Sequence, residues 1–93
     1  MPVTLRLPAV LADLAGGTRR LELDGSPATV GALFDALAQT HPVLERRIRD
    51  ETGAVRRFVN VYVDDSDIRH LDGIATPLRP DSDVTVLPSV AGG

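Results

Sequence analysis

The stretch Asp83-Val84-Thr85-Val86-Leu87-Pro88 constrains the architecture more than any other part of the chain. The alternation of valine with polar residues predicts a β-strand over 83–87. Pro88 should end its pairing, because proline has no N–H for a sheet ladder and its ring fixes φ. The preceding connection, residues 74–81, contains Pro77 and Pro80. A long connection of this kind lets the last strand return to the centre of a sheet, beside the first strand.

Other segments also have the patterns of strands. Val3-Thr4-Leu5-Arg6-Leu7 and residues 19–24 alternate apolar and polar side chains, which predicts an antiparallel pair of half-buried strands. Residues 9–15, between these two strands, are expected to form a loop. Residues 58–63 are rich in β-branched and aromatic side chains, which are typical of strands. Residues 68–71 are expected to form a short edge strand.

One segment has the pattern of an amphipathic helix. Thr29 is a good N-cap, and apolar residues follow it with the spacing i, i+3, i+4 and i+7. These residues are Val30, Leu33, Phe34 and Leu37. Pro42 should end this helix. Residues 43–50 are expected to add a short second helix that turns Leu44 and Ile48 inward.

The predicted order of elements is β-β-α-β-β-β. One helix over one face of a small sheet is a two-layer α+β arrangement. If the last strand lies beside the first, the fold is a ubiquitin-like β-grasp, with a mixed twisted sheet of four to five strands. We expect residues 1–88 to form this domain and residues 89–93 to be a flexible tail.

Composition excludes several kinds of chemistry. The 93-residue chain has no cysteine, which removes disulfides, thiolate catalysis and cysteine-based metal sites. A formal net charge of −3 argues against nucleic acid as a partner. No apolar run approaches the roughly 20 residues that span a bilayer. Because the first strand is expected to begin near Val3, we expect no signal peptide. The expectation is a cytoplasmic protein that is monomeric when free and has no membrane partner.

The tail Ser89-Val90-Ala91-Gly92-Gly93 is the most informative functional feature. Fully extended, it reaches at most roughly 16 Å, enough to carry a carboxylate into the active site of another protein. Glycine lacks a Cβ, so Gly92 and Gly93 can enter a narrow channel. A terminal glycine pair is also common as a frayed end or a cloning remnant. The preceding strand, proline and spacer favour an acyl carrier whose reactive group is the Gly93 carboxylate.

The face of the sheet opposite the helix is the expected docking surface. If Val59, Val61 and Val63 face the helix, their neighbours along the strand point away from it. No second helix covers that face, and exposed apolar patches usually mark interaction sites. The expected partner-binding residues are Phe58, Asn60, Tyr62, Leu87, Val90 and Ala91. The alternative for Phe58 is that the segment 43–57 folds over it.

No metal site is expected. The cluster Asp64-Asp65-Ser66-Asp67 lacks the glycine and the distal glutamate of a calcium loop, so it predicts a solvated turn. His41 and His70 have no ligand spacing. The Arg46-Arg47-Arg49 cluster is interpreted as solvated surface charge. So is Arg56-Arg57, although its position beside the third strand would also suit an acidic partner.

The sequence resembles the sulfur carrier proteins over nearly its whole length. Leu87-Pro88-Ser89-Val90-Ala91-Gly92-Gly93 matches the family pattern apolar-Pro-x-Val-x-Gly-Gly. The family includes the small subunit of molybdopterin synthase, the thiamine-pathway carrier and the carrier of thiocarboxylate-dependent cysteine synthesis. Arg57-Phe58-Val59-Asn60-Val61-Tyr62-Val63 and Gly73-Ile74-Ala75-Thr76 are most similar to the last of these.

The resemblance implies a carrier rather than an enzyme. A ubiquitin-activating-type adenylyltransferase would use ATP to activate the Gly93 carboxylate, and a rhodanese-like sulfur donor would convert it to a thiocarboxylate. A sulfur-accepting enzyme, such as a cysteine synthase, would then take the sulfur. The carrier itself would bind no cofactor. The alternatives are the small subunit of molybdopterin synthase and a protein modifier that is conjugated to lysines.

Overall fold

The computed structural model describes residues 3–88. Its helices are α1 (Ala9–Ala12), α2 (Val30–Thr40) and α3 (Pro42–Ile48). Its strands are β1 (Val3–Arg6), β2 (Arg20–Leu23), β3 (Val59–Val63), β4 (Ser66–Asp67) and β5 (Asp83–Pro88). Short 3-10 turns occupy Asp13–Ala15, Ile68–His70 and Gly73–Ala75. The expected flexible tail, residues 89–93, lies outside the described residues.

The strands form one mixed five-stranded sheet in the order β2-β1-β5-β3-β4. β1 and β2 are antiparallel, as predicted, and β5 lies between β1 and β3. β5 runs parallel to β1 and antiparallel to β3. The last strand therefore returns to the centre of the sheet, and the predicted β-grasp arrangement is confirmed.

Strand β5 pairs one residue further than its sequence predicts, because Pro88 lies opposite Val59. The Asp64 N–H donates to the Asp83 carbonyl at 2.9 Å, so Asp64 and Asp83 are a hydrogen-bonded pair. Along two antiparallel strands such pairs alternate with pairs that share no hydrogen bond. That alternation makes Val59 and Pro88 a non-hydrogen-bonded pair. The position needs no N–H toward β3, so proline fits it.

The core lies between the sheet and the two longer helices. The Thr29 hydroxyl accepts from the Ala32 N–H at 3.1 Å, which confirms the predicted N-cap of α2. The four residues of the predicted apolar stripe are fully buried. Leu44 and Ile48 of α3 are fully buried as well, as expected for the second helix. They pack in one cluster with the inward residues of β1, β3 and β5.

The loop predicted over residues 9–15 is wrong. This segment forms α1 and a 3-10 turn, and it buries Ala12 and Ala15. The Pro8 carbonyl accepts from the N–H groups of Leu11 and Ala12, which starts the first turn. A single helical turn is too short to show the helical spacing of apolar residues in the sequence. Its stability depends on tertiary packing.

The edge strand predicted over residues 68–71 is also wrong. Asp64 and Asp65 both adopt positive φ, 48° and 76°, which makes a two-residue turn and starts β4 at Ser66. The strand ends one residue later, because an Asp67 carboxylate oxygen accepts from the Arg69 N–H and caps a 3-10 turn. This turn buries Ile68.

Within residues 3–88, no helix is long and apolar enough to cross a bilayer.

Candidate functional site

The site is described up to the point where β5 passes into the tail. Gly92 and Gly93, the residues predicted to carry the reaction, lie outside the described residues, as do Val90 and Ala91. The described part of the site is the sheet surface around Leu87, at the end of the central strand. A carboxylate carried by the tail therefore starts from the middle of the sheet rather than from its edge.

The predicted orientation of β3 and β5 is confirmed. Val61 and Val63 are buried under the helices, and Val84 and Val86 are fully buried beside them. Side chains alternate along a strand, so the outward positions face away from the core. Leu87 is 42% exposed.

Phe58 is 62% exposed, so the segment 43–57 does not cover it. It lies immediately before β3, one residue from the Val59 that pairs with Pro88. The alternative in which Phe58 belongs to the core is therefore wrong. The exposed ring is available to a partner close to the start of the tail.

Tyr62 and Leu87 line a shallow depression on the outer face of the sheet, which is the face opposite the helices. Its volume is about 230 Å³, and Thr85 and Asp65 complete its walls. Tyr62 lies directly opposite Thr85 in the β3–β5 register, and Leu87 lies opposite Asn60. Three of the outward residues predicted from the sequence, Asn60, Tyr62 and Leu87, thus lie together on one surface.

Asn60 is held in place by a residue that the sequence did not indicate. Its side-chain oxygen accepts from the Arg69 guanidinium at 2.8 Å. Arg69 also donates to both carboxylate oxygens of Asp67. These hydrogen bonds, with the Arg69 backbone N–H, lower the pKa of Asp67 to about 2. No periodicity or motif marks Arg69, since the turn that carries it forms only in the folded chain.

Arginines extend this surface across the sheet. The β1–β5 and β1–β2 registers place Arg6 beside Thr85 and Arg20 beside Arg6, and both arginines are exposed. The Arg6 Nε donates to an Asp83 carboxylate oxygen at 3.3 Å. Exposed Glu22 lies opposite Thr4 on the same face, and Asp83 forms an ion pair with Arg6. The outer face therefore combines an apolar part on β3 and β5 with a part on β1 and β2 that carries charges of both signs.

The acidic turn does not gather into a metal centre. An Asp64 carboxylate oxygen accepts from the Asp83 N–H at 2.9 Å, and Asp67 binds Arg69. In the part of the chain that the structure describes, no three histidine or carboxylate side chains come close enough to hold a metal ion. Each of these acids has a structural contact or faces solvent.

Arg49 is not the solvated surface charge that its sequence context predicts. The residue is only 8% exposed, and its Nε donates to a Glu45 carboxylate oxygen at 2.6 Å. Another guanidinium nitrogen donates to Asp35 at 2.8 Å, and the group lies 5.6 Å from the centre of the Phe34 ring. Burial lowers the pKa of Arg49, but the hydrogen bonds to Asp35 and Glu45 outweigh it and raise the pKa overall. Arg49 therefore links α3 to α2 as part of the scaffold.

The fold and this surface define a ubiquitin-like β-grasp carrier, with helices over one face of the sheet and a central strand that leads into a diglycine segment. The chain belongs to the ThiS family, whose model matches residues 5–93.

The relatives of this chain include proteins named as sulfur carriers. It is 37% identical over 95 residues to sulfur carrier protein CysO of Mycobacterium tuberculosis, and the match covers all of both chains. It is 33% identical over 93 residues to small archaeal modifier protein 3 of Haloferax volcanii, again over all of both chains. The fold is similar to that in the BexX/CysO complex of Amycolatopsis orientalis, with a TM-score of 0.86 and 35% identity. That match covers 98% of this chain and 99% of the other.

Proposed function

We propose that this chain is a sulfur carrier protein in which the carboxylate of Gly93 is converted to a thiocarboxylate that donates sulfur in biosynthesis. As the sulfur acceptor we propose an enzyme that synthesises cysteine or a related sulfur-containing metabolite. The carrier binds no cofactor of its own. Since the activation step consumes ATP, we place it in the cytoplasm.

The observation that carries the proposal is the position of β5. It pairs with β1 on one side and with β3 on the other, so the strand that leads to the tail is the central strand of the sheet and is hydrogen-bonded along both of its edges. The exposed side chains of Phe58 and Leu87 flank its end. When a partner docks on these side chains, the end of β5 is held at a fixed position relative to the active site of the partner.

The chemistry needs activation, because the oxygen of a carboxylate is a poor leaving group. In the proposed reaction the Gly93 carboxylate attacks the α-phosphate of ATP on the adenylyltransferase and releases pyrophosphate. The resulting acyl-adenylate has AMP as a good leaving group. Sulfide attacks the acyl carbon, AMP departs, and the thiocarboxylate remains. If the nucleophile is instead the persulfide of the rhodanese-like donor, the product is an acyl disulfide, and a thiol must reduce its S–S bond, with formation of a disulfide, to release the thiocarboxylate. The carrier supplies only the carboxylate and the docking surface, so it needs no nucleophile–base pair.

Intact-mass spectrometry tests the proposal directly. With a matching adenylyltransferase, ATP and sulfide, the mass of the chain should rise by the difference between sulfur and oxygen. The chain has no cysteine, so a thiol-type alkylating reagent should then label only the new thiocarboxylate. Fragmentation should place the label on Gly93. Labelling elsewhere, or no mass gain with several activating enzymes of this type, would contradict the proposal.

The proposed partners are the adenylyltransferase, a rhodanese-like sulfur donor and the sulfur-accepting enzyme. The complex of CysO with BexX in A. orientalis supports docking of the whole domain on a partner protein. On this chain we assign that contact to Phe58, Asn60, Tyr62 and Leu87, together with Val90 and Ala91.

A second candidate is a protein modifier that is conjugated to lysines. The observation in its favour is the match to the archaeal modifier protein over all of both chains. All ten basic residues of this chain are arginine, so its own side chains offer no amine for chain formation. Diglycine remnants on lysines of other cellular proteins, dependent on Gly93, would favour this function over the carrier.

A further inference from the structure

A narrow apolar slot lies at the edge of the sheet, away from the outer face. Its volume is about 150 Å³, and four aliphatic side chains line its interior: Val55, Val59, Val61 and Ile68. Val59 and Val61 point toward the helix side of β3, whereas Tyr62 and Leu87 point to the opposite side. The slot is therefore a separate surface from the docking face assigned above.

The slot exists because β4 is too short to cover the edge of β3. β4 pairs only with Tyr62 and Val63, so within residues 3–88 no strand pairs with the start of β3 on that side. The Val59 N–H donates to the Arg56 carbonyl, which holds residues 55–57 against one side of the gap. The turn at Ile68–His70 lies on the other side.

Arginines surround the opening. Arg56, Arg57 and Arg69 line the slot together with one acid, Asp67. Among residues 3–88, neither Arg56 nor Arg57 forms an ion pair, and the Arg56 Nε is oriented by the Arg46 carbonyl at 2.7 Å. The Arg69 side chain is 66% exposed although it binds Asp67. This rim is cationic on a protein whose net charge is −3.

We propose that this slot binds an acidic segment of a partner protein, with one bulky apolar side chain in the slot and flanking carboxylates on Arg56 and Arg57. The volume is well below the roughly 300–1,000 Å³ of small-molecule pockets, and it suits a single anchoring side chain. Guanidinium groups bind carboxylates in a bidentate way, which gives the arginine rim its specificity. A nucleic acid would meet the same charge, but it has no aliphatic anchor for the interior. The proposal holds whether or not Gly93 carries sulfur.

A titration with a designed peptide tests the proposal on the full chain. The probe is a short peptide with one leucine flanked by aspartate and glutamate, added to protein with ¹³C-labelled valine, leucine and isoleucine methyl groups. The expected shifts lie at Val55, Val59, Val61 and Ile68. Replacing the leucine of the peptide by glycine should weaken binding by about tenfold, and added salt should weaken it further.

The matched variants are Arg57→Glu and Arg20→Glu, which make the same charge change at two exposed positions. Arg57→Glu should abolish the binding, and Arg20→Glu should leave it within about twofold. The proposal is overturned if no methyl group of the slot shifts, or if the shifts lie at Leu87 on the outer face. It is also overturned if both variants weaken binding equally, or if an oligonucleotide binds the rim more tightly than the peptide.

Discussion

The Arg69 guanidinium donates to the side-chain oxygen of Asn60 at 2.8 Å, and it thereby joins two surfaces of the molecule. Asn60 belongs to the outer face of the sheet, near Leu87, whereas Arg69 lies at the rim of the apolar slot. Asp67 fixes the same guanidinium from the other side. A change at Asp67 should therefore affect both surfaces.

The Asp67–Arg69 contact should make stability depend on pH in the acid range. The pKa of Asp67 in the folded chain is lowered to about 2 by its hydrogen bonds with Arg69, so the folded state favours the charged carboxylate. The resulting stabilisation is fully present above the pKa of the unfolded carboxylate, and it is lost as the pH falls through about 2. Asp67→Asn should be less stable than the natural chain at neutral pH, and denaturant unfolding at stepped pH should show the difference vanish in this window.

Arg69→Ala is the matched control for that measurement. Removing the guanidinium should return the pKa of Asp67 toward its usual range, which a carboxyl NMR titration measures directly. The carboxylate still accepts from the backbone N–H of residue 69, so part of the lowering should remain. An unchanged pKa in Arg69→Ala would show that the guanidinium is not the main cause.

Tyr62→Ala and Leu87→Ala should weaken binding to the adenylyltransferase with little loss of stability. Both side chains point away from the core and line the same depression. Isothermal titration of the complex and thermal melting of the free chain separate the two effects.

The matched changes inside the core are Val61→Ala and Phe34→Ala. Both side chains are buried, so their truncation should cost about 1–3 and about 3–5 kcal/mol of unfolding free energy respectively. Partner affinity, measured below the melting temperature, should stay nearly unchanged. Equal destabilisation by all four variants would contradict the assigned orientation of β3 and β5.

Arg49→Ala should be strongly destabilising, although arginine is usually a surface residue. The change leaves the buried Glu45 carboxylate without its partner, which typically costs about 3–5 kcal/mol. Chemical denaturation measures the loss. Asp35 is 75% exposed and remains solvated, so Glu45 should account for most of the effect.

The double variant Arg49→Met with Glu45→Leu is the control for this network. It removes both charges and fills the space with apolar atoms, so much of the lost stability should return. If Arg49→Ala alone cost less than about 1 kcal/mol, the ion pair would behave as an exposed one.

Deletion of Gly93, or Gly92→Ala, should strongly reduce adenylate formation without changing the melting temperature. The reaction requires the carboxylate to enter a narrow active site, and a Cβ or a shortened tail disturbs that entry. Pyrophosphate release with the adenylyltransferase measures the activity. Ser89→Ala, in the same segment but away from its tip, should retain it. Normal sulfur transfer by the Gly93 deletion would refute the carrier function.

Periodicity sufficed for the elements that are long and regular. The stripe from Val30 to Leu37 and the Thr29 cap predicted α2, and alternation predicted the inward and outward sides of β3 and β5. It failed for the elements of one turn or two residues. Helix α1 depends on hydrogen bonds to the carbonyl of Pro8, and β4 depends on the turn at Asp64 and Asp65. Neither feature produces a pattern of hydrophobicity in the sequence.

The candidate site divides in the same way. The diglycine segment and the outward residues of β3 could be predicted from the order of the residues and from the alternation of side chains along a strand. Arg69, Arg6 and the apolar slot could not, since each depends on which strands become neighbours. The Asn60–Arg69 hydrogen bond joins residues nine positions apart through the bend after β4.

The amino-acid sequence alone establishes which strand residues alternate between the two faces of the sheet and where α2 begins. It also establishes that no side-chain thiol can carry sulfur. It is the tertiary structure that determines which charged side chains are buried and which partners they contact. Arg49 and Arg57 lie in similar arginine-rich segments, yet one is buried against Glu45 and the other is exposed beside the slot. The physical reason is that burial and electrostatics depend on distances between segments remote in sequence, and those distances exist only after the helices have packed on the sheet.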